Sequence, residues 1–260
     1  MPGALAAVSD PALRAAFREW ILRVADDELV IGHRHSEWTG FGPDLESDVA
    51  MSSIAQEEIG HARAFYEQIA ADEGSDVDRL AFDRAPAEYR HAALLERPNG
   101  GWEFSILRLL LYEQFEAARL GLLAASGQEP VASLARTLVR EERYHSLFAR
   151  TWLERLARAD AEGRARVQAA LDSAWPDALG LFEATPADGV LRAAGILGEA
   201  PEAQRPAWEE AVRPVLQGCG LSIPAGPARE GGRRGLHGPE FEEMLAQMTE
   251  VWRSDPEARW

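Results

Sequence analysis

Lysine is missing from this chain, cysteine occurs once, and no apolar run comes near the roughly eighteen residues that a membrane-crossing helix needs. Each absence excludes something. The single Cys219 rules out an internal disulfide and a thiolate metal cage, which fits a reducing compartment and leaves histidine and carboxylate as the available metal ligands. Met1 to Asp10 carries none of the charged, apolar and cleavage regions of a signal peptide, so a cytoplasmic location and no membrane partner are expected. All 27 Lys-plus-Arg positions are arginine, the formal net charge is −16, and there is no block of basic residues. Such a chain lacks the basic face that nucleic acid or an anionic membrane requires. Neither a Gly-rich nucleotide-binding loop nor a set of Fe–S cysteines is present, so redox chemistry here must draw its electrons from a separate reductase.

What is present is helical periodicity. From Pro11 to His35, Phe17, Ile21, Val24 and Ile31 recur at the period of a helix with one buried stripe, and Glu28 falls on that stripe. Asp26 and Asp27 fall off it and read as solvated. Glu37 to Pro43, with two glycines and a proline, ends this helix, and Pro43 with Asp44 starts the next. The second helix, about 44–71, carries the stripe Met51, Ile54, Glu58, His61, Phe65 and Ile69. Residues 72–101 read as a crossover with at most short helices, in which Glu88 and His91 are surface residues. A third, very apolar helix from Trp102 to about Ala125 surrounds Glu113 with Ile106, Leu109, Leu110, Ala117 and Leu120; Glu116 lies almost on the same face. The fourth, about 130–157, has the stripe Leu134, Leu138, Glu142, His145, Ala149, Trp152 and Leu156. Further helices are expected at about 162–182, 189–197, 202–216 and 239–252, with a Gly-, Pro- and Arg-rich surface loop or partner-binding arm at 223–238.

The second and fourth helices share a spacing that carries chemistry. Glu58 precedes His61 by three residues and Glu142 precedes His145 by three, so in each pair carboxylate and imidazole leave one helix face a turn apart. Glu28 and Glu58 are 58 − 28 = 30 residues apart, and Glu113 and Glu142 are 142 − 113 = 29 apart. Antiparallel helices joined by a short turn place residues at such separations side by side. Two half-sites of this kind, each with a further acid, form the dinuclear carboxylate centre of ferritin-like four-helix bundles. A single pair on a long apolar helix already favours a site over a coincidence of composition, and two on matched stripes strengthen that case. Uncompensated, four carboxylates in a bundle core would each cost several kcal/mol. Two divalent ions balance them, and oxygen and imidazole ligands without sulfur suit iron or manganese, with Glu58 and Glu142 bridging and Glu28 and Glu113 terminal. Asp26, Asp27, Glu57, Glu116 and Glu141 are available to hydrogen-bond the ligating histidines, although as single residues they read as solvated or salt-bridged. His33, His35 and His237 lack ligand spacing, and Tyr112 and Tyr144 point about 100° away from the ligands around their helices. The expected fold is therefore all-α, a ferritin-like four-helix bundle with additional C-terminal helices, in one domain over 1–260 with the core bundle at about 11–158 and the C-terminal helices and arm at about 159–260.

Longer stretches carry a family likeness. Ser36-Glu37-Trp38-Thr39-Gly40, Glu96-Arg97-Pro98-Asn99-Gly100, Arg143-Tyr144-His145, Trp152-Leu153-Glu154-Arg155-Leu156 and Gly231-Gly232-Arg233-Arg234-Gly235-Leu236-His237 resemble the phenylacetate-catabolism family, on the side of the C subunit of its ring-1,2-phenylacetyl-CoA epoxidase. The resemblance implies a ferritin-like protein that binds a catalytic A subunit and is itself regarded as structural. The chain departs from that pattern, because Glu28, Glu58, His61 and Glu142 stand where such C subunits tend to carry apolar or amide residues. At these places it looks like the A subunit, whose third-helix acid matches Glu113. The resemblance thus implies a di-iron oxygenase component with Glu28, Glu58, His61, Glu113, Glu142 and His145 as ligands and catalytic residues, two iron ions (or manganese, or a mixed pair) as cofactor, and O2 with an aromatic or acyl-CoA substrate. It further implies a reductase and a ferritin-like partner subunit or homodimer. Two other readings compete: a non-catalytic scaffold subunit with the metal as a staple, and a ferroxidase or stand-alone oxidase.

Overall fold

The computed structural model describes residues 3–255 and contains no strand among them. Asp10 opens α1 (Pro11–Ser36): its carboxylate accepts the Leu13 amide at 2.7 Å, while Pro11 takes a first-turn position that needs no N–H. Asp44 caps α2 (Leu45–Glu73) in the same way through the Ser47 amide at 2.9 Å, and Gly74 closes it in the left-handed region at φ 62°. The two helices form a hairpin that is tightly packed at Gly32, where a Cβ would stand 2.9 Å from Ile59 Cγ1 and 3.0 Å from Glu58 Cβ. A side chain at Gly32 would push α2 away next to Glu58.

Helix α1 is buried on all sides from Trp20 to Gly32 and so is the central rod of the molecule. This corrects the expectation for Asp26 and Asp27, which are fully buried. Segments far away in the chain cover the face they occupy. Asp26 accepts from Tyr66 Oη at 2.5 Å, from the Arg90 amide at 2.7 Å and from Arg84. Asp27 accepts from Arg119 and Arg233, each at 2.6 Å.

The crossover holds the short helices α3 (Val77–Phe82) and α4 (Ala93–Glu96) with a 3-10 turn at Pro86–Glu88 between them, and then comes the second hairpin, opened by α5 (Trp102–Ala124). Its return arm is not the continuous helix expected. It is split into α6 (Val131–Leu138) and α7 (Glu142–Ala159), because the Arg140 and Glu141 amides reach back three residues, to Thr137 and Leu138, and tighten the turn. The break lies immediately before Glu142.

The helix α8 (Ala161–Leu179) packs on α5 and α7, α9 (Pro186–Ala193) on α1, and α10 (Pro201–Gly218) on α5, while α11 (Pro239–Met248) lies against α4 and is followed by α12 (Glu250–Ser254). The segment 223–238 departs from the surface-loop expectation in its second half: Gly231, Gly232, Arg233 and Gly235 are buried. Gly232 passes so close to the crossover that a Cβ would lie 2.4 Å from the His91 carbonyl oxygen, and Gly235 sits at φ 78° against Ala87. The glycines let the arm thread inward until Arg233 reaches Asp27. Among the described residues no helix is long and apolar enough to cross a membrane.

Candidate metal centre

Where the two hairpins face each other, α1 contributes Glu28, α2 Glu58 and His61, α5 Glu113, and α7 Glu142 and His145, all six at most 3% exposed. His61 Nδ1 lies 3.8 Å from Glu28 Oε2, 3.6 Å from Glu58 Oε2 and 3.4 Å from Glu142 Oε1. His145 Nδ1 lies 3.3 Å from Glu58 Oε1, 3.6 Å from Glu113 Oε2 and 3.7 Å from Glu142 Oε2. Glu58 and Glu142 therefore each turn one oxygen toward either imidazole. Glu28 stands only beside His61, and Glu113 only beside His145. Atoms of Glu28, Glu58 and His61 gather within 4.8 Å of one another, as do atoms of Glu58, Glu113, Glu142 and His145. The side chains thus form two candidate ligand groups that share Glu58, with Glu142 facing both imidazoles.

The donor atoms fit a dinuclear metal group. Glu28 Oε2, both oxygens of Glu58, Glu113 and Glu142, and Nδ1 of both histidines are buried without a hydrogen-bond partner. In a core where an unpaired polar atom costs on the order of 1–3 kcal/mol, so many orphans pointing inward are the mark of ligands for a cation. Without one, the groups hold each other's protons. Burial pushes Glu28 well above the usual carboxylate range, and Glu58 adds repulsion; burial and Glu142 do the same to Glu113. Glu58 stays well below that range despite burial, because the Glu28 carboxyl and the two imidazoles that face it favour its charged form. His61, despite burial, is pushed up to about 12 by Glu28 and Glu58, and His145 rises for the same kind of reason. Metal uptake must displace those protons.

The outer faces of the imidazoles are also occupied. His61 Nε2 meets Glu141 Oε2 at 2.7 Å, and His145 Nε2 meets Glu57 Oε2 at 2.7 Å. The pairing is crossed, since each histidine takes its outer carboxylate from the other hairpin. Singly these acids read as solvated residues, and about two-fifths of each side chain is indeed exposed (Glu57 41%, Glu141 44%). The signal is nevertheless in the chain: both stand four residues before a histidine, in the repeated Glu-Glu-x-x-His.

Tyr112 leaves α5 away from Glu113, in keeping with its place around the helix, and turns toward α1, where its hydroxyl donates to Glu28 Oε1 at 2.9 Å. Arg119 joins them, 3.1 Å from Tyr112 Oη and 3.5 Å from Glu28 Oε1. Glu116, the other acid on α5, abuts the Arg119 guanidinium and belongs to neither ligand group. Burial, opposed by Arg119, pushes it up to about 7.

A third histidine cluster lies outside the centre. His91, expected on the surface with Glu88, is fully buried, whereas Glu88 is exposed. Glu96 Oε2 lies 2.8 Å from His91 Nε2 and 2.8 Å from His237 Nδ1, and His237 Nε2 lies 3.1 Å from the Tyr89 carbonyl oxygen. The two imidazoles stack face to face, 4.0 Å between centroids and 14° between planes. A metal ion would have to lie in the plane of both rings, which this stack forbids. The cluster ties the C-terminal arm to the crossover. His35 is buried near the centre with neither ring nitrogen partnered, and burial pushes it down to about 3.

Comparison with known proteins agrees with this architecture. Residues 6–260 match the family model described as phenylacetic acid catabolic protein. The chain is 34% identical over 244 residues to the C subunit of 1,2-phenylacetyl-CoA epoxidase from Escherichia coli (strain K12), a match that covers 93% of this chain and 98% of that relative. With a helical bundle of this design and a match that spans nearly its whole length, the chain belongs to the phenylacetic acid catabolic protein family.

Proposed function

We propose that this chain is a di-iron carboxylate oxygenase component, using O2 to epoxidise or hydroxylate an aromatic substrate linked to coenzyme A. One observation carries the reading: Glu58 and Glu142 each offer one oxygen to the His61 side and one to the His145 side, at a point where every ligand atom facing inward lacks another partner. When bound, a pair of iron ions (manganese or a mixed pair has the same ligand preference) supplies the redox equivalents and Lewis acidity that O2 chemistry needs. The chain's own part is positioning. Glu57 and Glu141 accept the Nε2 protons of His145 and His61, which leaves each Nδ1 lone pair directed inward. Tyr112 and Arg119 hold Glu28 Oε1 and leave Oε2 facing the centre. Burial of all six ligands keeps bulk water out. Electrons come from a separate reductase, and the curated relative's being one subunit of an epoxidase supports assembly with a ferritin-like partner.

The likeness to a C subunit favours a second reading, a non-catalytic subunit in which the metal is a structural staple. Protein expressed with iron is expected to carry two iron atoms per chain, and Glu58→Ala to lose both. A metal-free wild type that Glu58→Ala leaves unchanged would sink the proposal. Reconstituted turnover that survives Glu142→Ala would select the structural reading.

A further inference from the structure

All six candidate ligands are buried, so a hydrated divalent cation needs a way in. Along the bundle axis apolar layers close it: Met51 and Ile54 lie on one side of the α2 ligands and Phe65 and Ile69 on the other, none of them exposed. Crossing such a layer would strip the ion of water with nothing in return. Behind Glu28 stands the Arg119 guanidinium, 3.5 Å from Glu28 Oε1 and held in place by Asp27 at 2.6 Å and by Glu116. A cation arriving there meets a cation. The remaining face is the one where α2 and α7 meet across the crossed pairs. The His61 and His145 rings lie 6.4 Å apart and 27° from parallel, so Glu57 and Glu141, each 2.7 Å from an outer imidazole nitrogen, stand side by side between the ligands and solvent. These partly exposed carboxylates, with the unpartnered oxygens of Glu58 and Glu142 behind them, draw a divalent ion inward.

The two pairs differ in what anchors them. Glu57 sits well inside α2, an uninterrupted helix of 29 residues packed along α1. Glu141 sits in the joint between α6 and α7. Its amide reaches back three residues to Leu138 at 2.8 Å, but the Arg140 amide reaches Thr137 only at 3.4 Å, and the His145 amide reaches the Glu141 carbonyl only at 3.5 Å. Bonds that long hold little, so the first turn of α7, which carries both Glu142 and His145, is loosely tied to α6. A swing about this joint lifts Glu141 off His61 and turns Glu142 toward the mouth in one motion. Resting on the metal-centre reading above, we propose that the α6–α7 joint is the gate for metal: Glu141 leaves His61 to admit a hydrated divalent cation between α2 and α7, and Glu142 receives it as the joint closes.

The test uses the full chain stripped of metal with a chelator, and Co(II) as the probe, its uptake followed by visible absorption in stopped flow. Gated entry makes the uptake rate level off as Co(II) is raised, at the rate at which the joint opens. Arg140 is exposed and touches no ligand, so Arg140→Gly loosens the joint alone and should raise that plateau roughly two- to fivefold. Release into excess chelator should quicken by the same factor, leaving the equilibrium affinity for Co(II) unchanged. Leu197 is half-buried in the wall of a cavity of about 330 Å³ that lies on the far side of Arg119, bounded by α1, α5 and the turn between α9 and α10. Filling that cavity with Leu197→Trp should leave uptake at the wild-type rate. Uptake that stays proportional to Co(II) at every concentration, or a plateau that Arg140→Gly leaves in place, overturns the gate. Slower uptake in Leu197→Trp overturns the route. A chain that binds no Co(II) in an equilibrium titration fails the metal-centre reading itself, and the titration separates that result from a chain that binds Co(II) without a gate.

Discussion

Removing Glu57 or Glu141 should loosen one metal ion each, and the crossed pairing says which one. Glu57 accepts His145 Nε2 and Glu141 accepts His61 Nε2, both at 2.7 Å, with side chains 41% and 44% exposed. Exposed pairs of this kind add only about 0–1 kcal/mol to folding, so Glu57→Ala and Glu141→Ala should melt within a few degrees of wild type. Their effect on metal is larger, because an outer carboxylate fixes the imidazole's tautomer and ring orientation. Losing such a partner costs about 10–100-fold in affinity, or about 1.4–2.7 kcal/mol. His145 stands with Glu113 and His61 with Glu28, so Glu57→Ala should weaken the ion on the Glu113 side and Glu141→Ala the ion on the Glu28 side. Competition with a chelator, followed as release of the two irons, should give one fast and one slow phase in each variant. Pairing with shortened ligands then identifies the side: Glu57→Ala should be non-additive with Glu113→Asp and additive with Glu28→Asp, and Glu141→Ala the reverse. Unchanged release in both variants, or couplings in the uncrossed sense, would refute the reasoning.

Three further outcomes follow from buried charge. Arg233→Ala leaves Asp27 buried with Arg119 as its remaining cation, and denaturant unfolding should show a loss of about 3 kcal/mol, with two irons still taken up on reconstitution. Acidification should weaken the latch between crossover and arm: burial, aided by His237, pushes His91 down from 6.5 to about 4, while Glu96, against burial, is held at about 2 by His237 and His91. Both folded values lie below the unfolded ones, so this stability is complete above about pH 6.5 and is lost as pH falls, through the His91 window first and then that of Glu96. His91 alone should account for about 3 kcal/mol between pH 7 and 4, and an unfolding series in which His91→Asn keeps the wild-type slope would contradict it. Glu113→Leu should raise the melting temperature of chelated protein, since it removes a fully buried, unpartnered carboxyl, and should abolish the further rise that iron produces in wild type.

How much of this is legible in the chain differs by residue. The stripe Met51, Ile54, Glu58, His61, Phe65 and Ile69 can be read at once, because a 3.6-residue period reports directly which face of a helix is buried, and all six are. The four-helix arrangement and the gathering of Glu28, Glu58, His61, Glu113, Glu142 and His145 follow from two repeated spacings and two matched separations. Periodicity names a face, however, and not what covers it. Asp26 and Asp27 lie off the stripe of α1 and read as solvated, yet the crossover and an arm 206 residues beyond Asp27 seal them in. His91 and His237, 146 residues apart (237 − 91), meet on one carboxylate that no local spacing announces. The break between α6 and α7 escapes for a related reason, since the apolar stripe runs on through it while the backbone tightens from four-residue to three-residue bonds. The sequence by itself determined the helices, their buried faces and the acids and histidines on them. Only the tertiary structure decided that Glu57 and Glu141 cross between hairpins, that Tyr112 and Arg119 reach Glu28, and that the glycine-rich arm is threaded inside, because those contacts join distant segments whose meeting depends on how whole helices pack.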